Sequence, residues 1–336
     1  MTVVEPFGLS VRDQTLEADI QAGLVAVEEG LLEATKSDVP FITEAAQHLV
    51  RAGGKRFRPL LVMLAAQFGD PHAPGVVPSA VVVELTHLAT LYHDDVMDEA
   101  TVRRGVSSAN ARWGNSVAVL TGDFLFARAS HILADLGPEA VRIQAEAFER
   151  LVTGQILETA GPGEDRDPID HYLDVISGKT GSLIAVSGRF GAMMSGADES
   201  VVNILTQYGE RLGTAFQLAD DVLDIASDSH ESGKTPGTDL REGIPTLPVL
   251  RLRAQAAAGG SDDDRELCRL LDGDLTDDGR HAEALRRLRA HPALEQARRD
   301  TVRYAADARA MLAPLPDVPA KAALEGLCDA VVHRAG

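Results

Sequence analysis

The sequence predicts an all-α protein, one large helical bundle around a central cavity. Three observations carry this. Apolar residues recur at three- and four-residue spacings along most of the 336 residues, no segment offers alternating β-branched strands joined by hairpin turns, and no repeat of solenoid period is present.

The periodic stretches are Leu16–Thr35, Ile42–Arg51, Pro59–Phe68, Val76–Asp98, Ser116–Leu136, Pro138–Ala160 and Asp167–Phe190. They continue with Glu199–Ile225, Pro245–Ala257, Asp263–Asp272, Gly279–Ala290, Pro292–Leu312 and Ala320–Val332. Pro59 and Pro138 suit a first helical turn, and Pro162 follows a helix end at Gly161. Val76–Val83 is β-branched enough for a strand, but it runs without a breaker into Glu84–Asp98 and is read as one long central helix. Gly161–Pro168, Ser227–Gly243 and Gly259–Asp264 read as loops. With no linker composition anywhere, the chain is expected to be a single domain over 1–336, its core from about 16 to 332.

An apolar content of 45% suffices for a large core, and no run is expected to be long or uniform enough to span a bilayer, so an integral membrane protein is not expected. Met1–Gln14 lacks a basic-then-apolar leader pattern, which makes the cytoplasm the expected location. Cys268 and Cys328 lie in amphipathic stretches with neither zinc nor disulfide spacing. A net charge of −19 argues against a nucleic-acid partner. Only five lysines occur, and three of them (Lys55, Lys179 and Lys234) sit beside glycine in short polar segments. A compact ammonium on a close-approaching backbone suits a phosphate. None of the three lies in a Walker pattern.

Two acidic runs stand out, Asp94-Asp95-x-x-Asp98 and Asp220-Asp221-x-x-Asp224, each following an apolar stretch. Residues i and i+4 share a helix face, so each run presents a carboxylate pair from a buried wall. Left alone, such groups are costly and repel one another. Divalent cations resolve the conflict, and Mg²⁺ favours carboxylate together with diphosphate oxygens. The pattern points to an enzyme acting on diphosphates.

Basic residues complete it. In Gly53-Gly54-Lys55-Arg56-Phe57-Arg58-Pro59 the glycines let backbone approach an anion while Lys55 and Arg58 converge on it. Arg103-Arg104-Gly105 follows the first acidic run and has a plainer reading as salt-bridge partners for Asp98 and Glu99. Gly178-Lys179-Thr180-Gly181 is a third cluster, and Gln217 lies one turn before Asp221 on the same helical face. His87 alone reads most simply as a core histidine, and His93 as structural.

Taken in order, GGKRFRP (53–59), ELTHLATLYHDDVMDEATVRRG (84–105), GQ (154–155), GKTGSL (178–183), GTAFQLADDVLDI (213–225) and GKTPGTDLREGIPTLP (233–248) resemble the trans-type isoprenyl diphosphate synthases, or polyprenyl synthetases, from about Leu16 to Val332. The resemblance implies an isoprenoid-synthase helical fold, a homodimer, and repeated condensation of isopentenyl diphosphate onto an allylic diphosphate. It implies about three Mg²⁺ ions, held by Asp94, Asp98 and Asp220, with Asp95, Asp221 and Asp224 completing the metal site through waters or neighbouring side chains. Arg103, Lys179, Thr180, Gln217 and Lys234 would bind the allylic diphosphate; Gly54, Lys55, Arg58, His87 and Arg104 would bind isopentenyl diphosphate. Asp94, Asp98, Lys179, Gln217 and Asp220 would act on the reacting diphosphate itself. One departure is Ile244, which stands where the family often has a second lysine in its final loop.

The chemistry needs these residue types. Cations stabilise charge on a departing diphosphate, and the resulting allylic cation needs a dry apolar pocket that holds the second substrate's double bond. No Ser-His-Asp or Cys-His arrangement is evident. A class I terpene cyclase is disfavoured by the second Asp-rich motif and the Gly-Gly-Lys loop, an HD-type phosphohydrolase by the want of further ligands. A non-catalytic partner subunit is disfavoured because both motifs are intact.

Product length follows from the same helix. In the family, bulky residues four and five places before the first motif cap the cavity; here these are Thr90 and Ala89, with Thr86 and Val83 beyond. Asp94 to Val83 covers about 16 Å of helix at ~1.5 Å per residue. The first of these turns holds no aromatic plug, which implies a product of roughly six to ten isoprene units; closure by other helices would give a geranylgeranyl-sized one. Ala89→Phe is expected to shorten the product, as read by chromatography of the elongated chains; an unchanged length would place the floor elsewhere.

Overall fold

The computed structural model describes residues 13–227 and 236–335, and among them the chain is all-α except for one two-stranded hairpin. The fold divides into two compact units.

The first unit comprises residues 13–149, 183–209 and 311–327. It holds α1 (Gln14–Ala34), α2 (Pro40–Arg51), α3 (Phe57–Ala66) and α4 (Val76–Met97). These are followed by the hairpin of β1 (Val102–Arg103) and β2 (Val106–Ser107), α5 (Ala109–Trp113), α6 (Asn115–Leu136) and the opening part of α7 (Pro138–Ala160). Most of α9 (Ser182–Met194) and the N-terminal parts of α10 (Glu199–Ala226) and α16 (Pro319–Ala335) also belong here. Asp13 starts the unit by accepting the Leu16 amide at 2.9 Å, satisfying a donor that a helix end otherwise leaves orphaned.

Helix α4 is the centre. It is buried around most of its circumference, from Val76 through Tyr92 to Asp95, and the β-branched Val76–Val83 stretch is helical as expected. A helix apolar on all sides finds its place inside a bundle, and α4 packs along α6, α3 and α1. Two devices set its position. Tyr92 is fully buried; its hydroxyl donates to the Ala45 carbonyl (2.6 Å) and accepts the Leu49 amide (3.2 Å), fixing α4 to α2. On the other side Gly122 lets α6 approach closely. A Cβ there would stand 2.3 Å from the His93 ring and 3.1 Å from the Ala89 carbonyl oxygen. The His93 ring is thereby structural, bonded to the Val119 carbonyl at 3.0 Å.

The expectation that no run is long enough to span a bilayer fails at α6, which by length and composition could cross one, although it carries Asp123, Arg128 and Asp135. Only a third of its most apolar window is buried.

The second unit comprises residues 150–182, 210–310 and 328–335. It contains the rest of α7, α8 (Pro168–Ile176), a π-helical turn (Ser177–Gly181) and the remainder of α10. Beyond these lie α11 (Thr238–Arg241), α12 (Leu247–Ala257), α13 (Asp262–Leu271), α14 (Asp278–Ala290), α15 (Pro292–Met311) and the end of α16.

The sequence departs from the structure at three places. Asp167–Phe190, read as one helix, is interrupted by the π-turn, because apolar periodicity continues on both sides and conceals the one-residue widening. The hairpin and α5 fall in a stretch assigned to no element; two-residue strands carry no periodicity to detect. The short α11 lies in a segment read as loop. Neither cysteine forms a disulfide, Cys328 being buried and Cys268 half-buried.

A buried polar joint ties the start of α13 to the end of α14 in the second unit. Ser261 and Asp264 form a capping box at the start of α13, and Asp264 also bonds the His291 ring at 2.9 Å. The His291 bond, aided by the Ser261 amide, holds the Asp264 carboxyl at about 2, below its ordinary 3.8. A depressed carboxyl stabilises the fold above its ordinary value and loses that contribution as pH falls through the folded one. The gap in melting temperature between the wild type and Asp264→Asn is therefore expected to close as pH falls from 4 towards 2.

Candidate active site

The first unit carries the first acidic run and a cluster of cations. Asp94 and Asp95 occupy the last turn of α4, and Asp98 is its C-cap, exposed, with its amide on the Asp94 carbonyl at 2.8 Å. Asp94 is half-buried and Asp95 fully buried. Asp95 accepts from Arg103 Nε at 2.6 Å through one oxygen, while its other oxygen is buried without a hydrogen-bond partner. Burial raises the Asp95 carboxyl above the usual range against the pull of Arg103. Arg103 therefore takes a salt-bridge role, but with Asp95 rather than with Asp98 or Glu99.

Three arginines converge on one buried carboxylate, Glu84 of α4. Arg56 Nη1 donates to Glu84 Oε1 at 3.1 Å, and Arg104 Nη2 lies 3.7 Å from the same oxygen. Arg56 also binds Glu28 and the carbonyls of Gly53 and Val50. Arg58 feels the Glu84 charge, yet burial and the nearby Arg104 lower its guanidinium to about 10. Its Nε is buried without a partner. Burial and the charges of Arg58, Arg104, Arg103 and Arg56 push the His87 imidazole well below its ordinary value, so it is neutral at pH 7.

Local backbone chemistry aims these groups. Gly53 (φ 86°) and Gly54 (φ 144°) open the loop before α3, and Arg56 follows with φ 52°. A side chain at Gly54 would collide with the Arg104 guanidinium 2.8 Å away. Arg104 (φ 53°) and Gly105 (φ 77°) form the two-residue turn of the hairpin, the left-handed pair that such tight turns require. The turn swings Arg104 to donate to the Leu49 carbonyl at 3.1 Å and to Gly53. Lys55 is exposed beside this loop. Upstream on α4, Thr86 and Ala89 have no accessible surface to speak of, whereas Thr90 is half-buried. The Thr86 hydroxyl accepts from Gln144 of α7 at 2.9 Å.

The second unit carries the other motif near the end of α10. Asp220 forms an ion pair with Arg334 of α16 at 2.9 Å, and Arg334 stacks over Phe216 at 4.6 Å. Asp221 is buried; Asp224 accepts the amides of Thr238 and Asp239, both at 3.2 Å, and so anchors α11. Gln217 Nε2 donates to Asp221 at 2.9 Å, and the Thr180 hydroxyl donates to Gln217 Oε1 at 3.1 Å. The π-turn displays Lys179, whose ammonium meets Glu158 at 2.7 Å. Gly154 of the GQ pair makes room for this turn, since a Cβ on it would lie 2.7 Å from the Lys179 amide nitrogen. Lys234 lies outside the described residues. Ile244 is partly exposed, its amide on the Asp239 carbonyl at 2.9 Å.

Among the described residues no three His, Cys, Asp or Glu side chains gather closely enough to cage a metal. The donors still suit Mg²⁺, a hard cation that takes one or two carboxylates per ion and completes its shell with water and phosphate oxygens. Asp94, Asp98 and Asp220 retain accessible surface, and Asp95 keeps its orphaned oxygen beside them in sequence.

Sequence reasoning passed over Glu84, Arg56, Tyr172 and Arg334. Glu84 had a signal, a single acid inside the apolar Val81–Leu88 run, where an unpaired charge is untenable. Arg334 had none, being brought in by tertiary packing alone.

A helical chain with two Asp-Asp-x-x-Asp helix ends and glycine-supported lysine and arginine clusters has the equipment of an enzyme that handles diphosphates. The chain belongs to the polyprenyl synthetase family, whose defining sequence pattern matches residues 39–287, and is a prenyltransferase. It is 50% identical to a nonaprenyl diphosphate synthase of Mycobacterium tuberculosis, over 98% of this chain and 97% of that one. Among solved structures it resembles a geranylgeranyl pyrophosphate synthase of Corynebacterium glutamicum complexed with calcium and isoprenyl diphosphate. The TM-score is 0.87 and the identity 46%, covering 97% and 99% of the two chains. It also resembles a decaprenyl diphosphate synthase of Rhodobacter capsulatus, with TM-score 0.86, 36% identity and coverage of 96% and 99%.

Removing the shared counter-charge should be felt by the whole first unit. Glu84→Gln is expected to lower unfolding stability by about 3 kcal/mol in urea titrations. Glu44→Gln, which breaks the exposed pair with Arg112, should cost under about 1 kcal/mol.

Proposed function

We propose that this chain is a Mg²⁺-dependent polyprenyl diphosphate synthase. It would add isopentenyl diphosphate repeatedly, 1′-4 and head to tail, to an allylic prenyl diphosphate and release an all-trans product. The observation that carries this reading is the coexistence of two aspartate-bearing helix ends with two separate cationic groups, one around Arg58, His87 and Arg104, the other around Lys179, Thr180 and Gln217. Two anionic substrates need two such groups.

In this reading Asp94, Asp98 and Asp220 hold Mg²⁺, about three ions in all. Asp95, Asp221 and Asp224 support them through the contacts described above. When bound, the ions offset the charge that develops on the departing diphosphate. Lys179, Thr180, Gln217, Lys234 and Arg103 bind the allylic diphosphate; Gly54, Lys55, Arg58, His87 and Arg104 bind isopentenyl diphosphate. A neutral His87 contributes a hydrogen bond without adding to the local positive charge. Arg334 occupies Asp220 through an ion pair that substrate-bound metal would replace. The proton lost on restoring the double bond passes to the released diphosphate, so no protein nucleophile is needed.

The M. tuberculosis relative's name supports a long product, in keeping with the small Ala89 and Thr90, and roughly six to ten isoprene units remains the expected range. The C. glutamicum structure supports the second reading, a geranylgeranyl product. The family match spans stretches of both compact units, which supports one polyprenyl synthetase domain. The exposed stripe of α6 (Val119, Leu120, Ala127, Ala134), at helical spacing around Asp123, supports a homodimer formed on that face rather than a bilayer span. A cytoplasmic location accords with this.

Incubation with isopentenyl diphosphate and farnesyl or geranylgeranyl diphosphate should give elongated products only when Mg²⁺ is supplied, and Asp94→Ala or Asp220→Ala should lower kcat by at least about a hundredfold. No elongation from any allylic starter would sink the reading, and a product stopping at twenty carbons would select the geranylgeranyl alternative.

A further inference from the structure

Tyr172 is absent from every motif discussed above, yet its hydroxyl, which also meets the Leu247 backbone, belongs to a chain of directed hydrogen bonds. The Thr180 hydroxyl donates to Gln217 Oε1 at 3.1 Å, Gln217 Nε2 donates to Asp221 Oδ1 at 2.9 Å, and the Tyr172 hydroxyl donates to Asp221 Oδ2. The chain joins three elements of the second unit: α8, the π-turn and the end of α10.

With Asp221 accepting at both oxygens, Gln217 turns its nitrogen to Asp221 and its oxygen to Thr180. One amide hydrogen is used on Asp221, and the other is left to point along the remaining direction of a planar group held at both ends. Asp221 is buried, and among the described residues its hydrogen-bond partners are the neutral Tyr172 and Gln217 rather than a lysine or arginine. A buried carboxylate held by neutral donors is costly. Apolar side chains of the same shape would stabilise the fold at least as well. Packing therefore does not explain the arrangement; fixing the orientation of Gln217 and Thr180 does.

We propose that Tyr172 is a positioning residue for the allylic diphosphate, acting through Asp221 to hold Gln217 and Thr180 in a single donor arrangement. Asp221 then serves as the pivot of this chain, both of its oxygens engaged by protein donors. The inference rests on the assignment of Gln217 and Thr180 to the allylic substrate.

Tyr172→Phe keeps the ring and removes only the hydroxyl. It is expected to raise KM for the allylic diphosphate by about tenfold, the loss of one charge-assisted hydrogen bond, while KM for isopentenyl diphosphate stays within about twofold. Calorimetric titration with a thiolodiphosphate analogue that cannot ionise should show the same selective weakening without any turnover. In a Gln217→Leu background the further substitution of Tyr172 should add less than about twofold, because the group it positions is gone. Equal losses for both substrates, an unchanged allylic KM and analogue affinity, or full additivity in the double variant would overturn the proposal. These outcomes presuppose a wild type that elongates; a wild type inert with every starter would overturn the functional reading instead.

Discussion

One buried carboxylate organises the first unit. Glu84 sits in the middle of an otherwise apolar helix face, where an uncompensated charge would cost several kcal/mol. Its compensation comes from far along the chain in both directions, Arg56 from the loop before α3 and Arg104 from the hairpin after α4. Because both reach the same point, the loop and the hairpin fold back against α4, the hairpin helped by the Arg103–Asp95 pair. Arg58 and His87 are then carried into the same neighbourhood, where Glu84 offsets part of the charge crowding Arg58 and the surrounding arginines keep His87 neutral.

The second unit uses a different solution. Its motif is steadied by neutral donors and backbone amides: Tyr172 and Gln217 on Asp221, and the Thr238 and Asp239 amides on Asp224. The charged pairs, Asp220 with Arg334 and Lys179 with Glu158, are partly exposed and so easily exchanged for other partners. Each unit thus combines immobile groups that set direction with accessible charges that can change partner.

Much of this was legible in the sequence. Helical periodicity located α4 and α10 and placed the aspartates on or beside them, but the buried carboxylates are Asp95 and Asp221 rather than the i, i+4 pairs, and Asp98 is the exposed C-cap of α4. The glycines of the 53–59 loop announced a backbone that an ordinary side chain would obstruct, and Gly54 bears this out against Arg104. What stayed hidden has physical reasons. The π-turn adds one residue to a turn without disturbing apolar spacing on either side. The hairpin is too short to express alternation. Tyr172 and Arg334 meet their aspartates across 49 and 114 residues of chain, separations at which local pattern carries no information. Burial of Ala89 and Thr86 was equally invisible, since a small residue reads the same whether it lines a cavity or fills one.

Among the described residues, the non-glycine positions with left-handed backbone are Arg56, Glu99 and Arg104, and all of them flank the first acidic run or its cations. Glycine would relax each of them in the folded state. A campaign to raise thermal tolerance by easing backbone strain would therefore be drawn to these positions, and at Arg56 and Arg104 it would remove the guanidinium along with the strain. Heat resistance in this scaffold has to be sought elsewhere, in surfaces and loops away from this cluster of arginines.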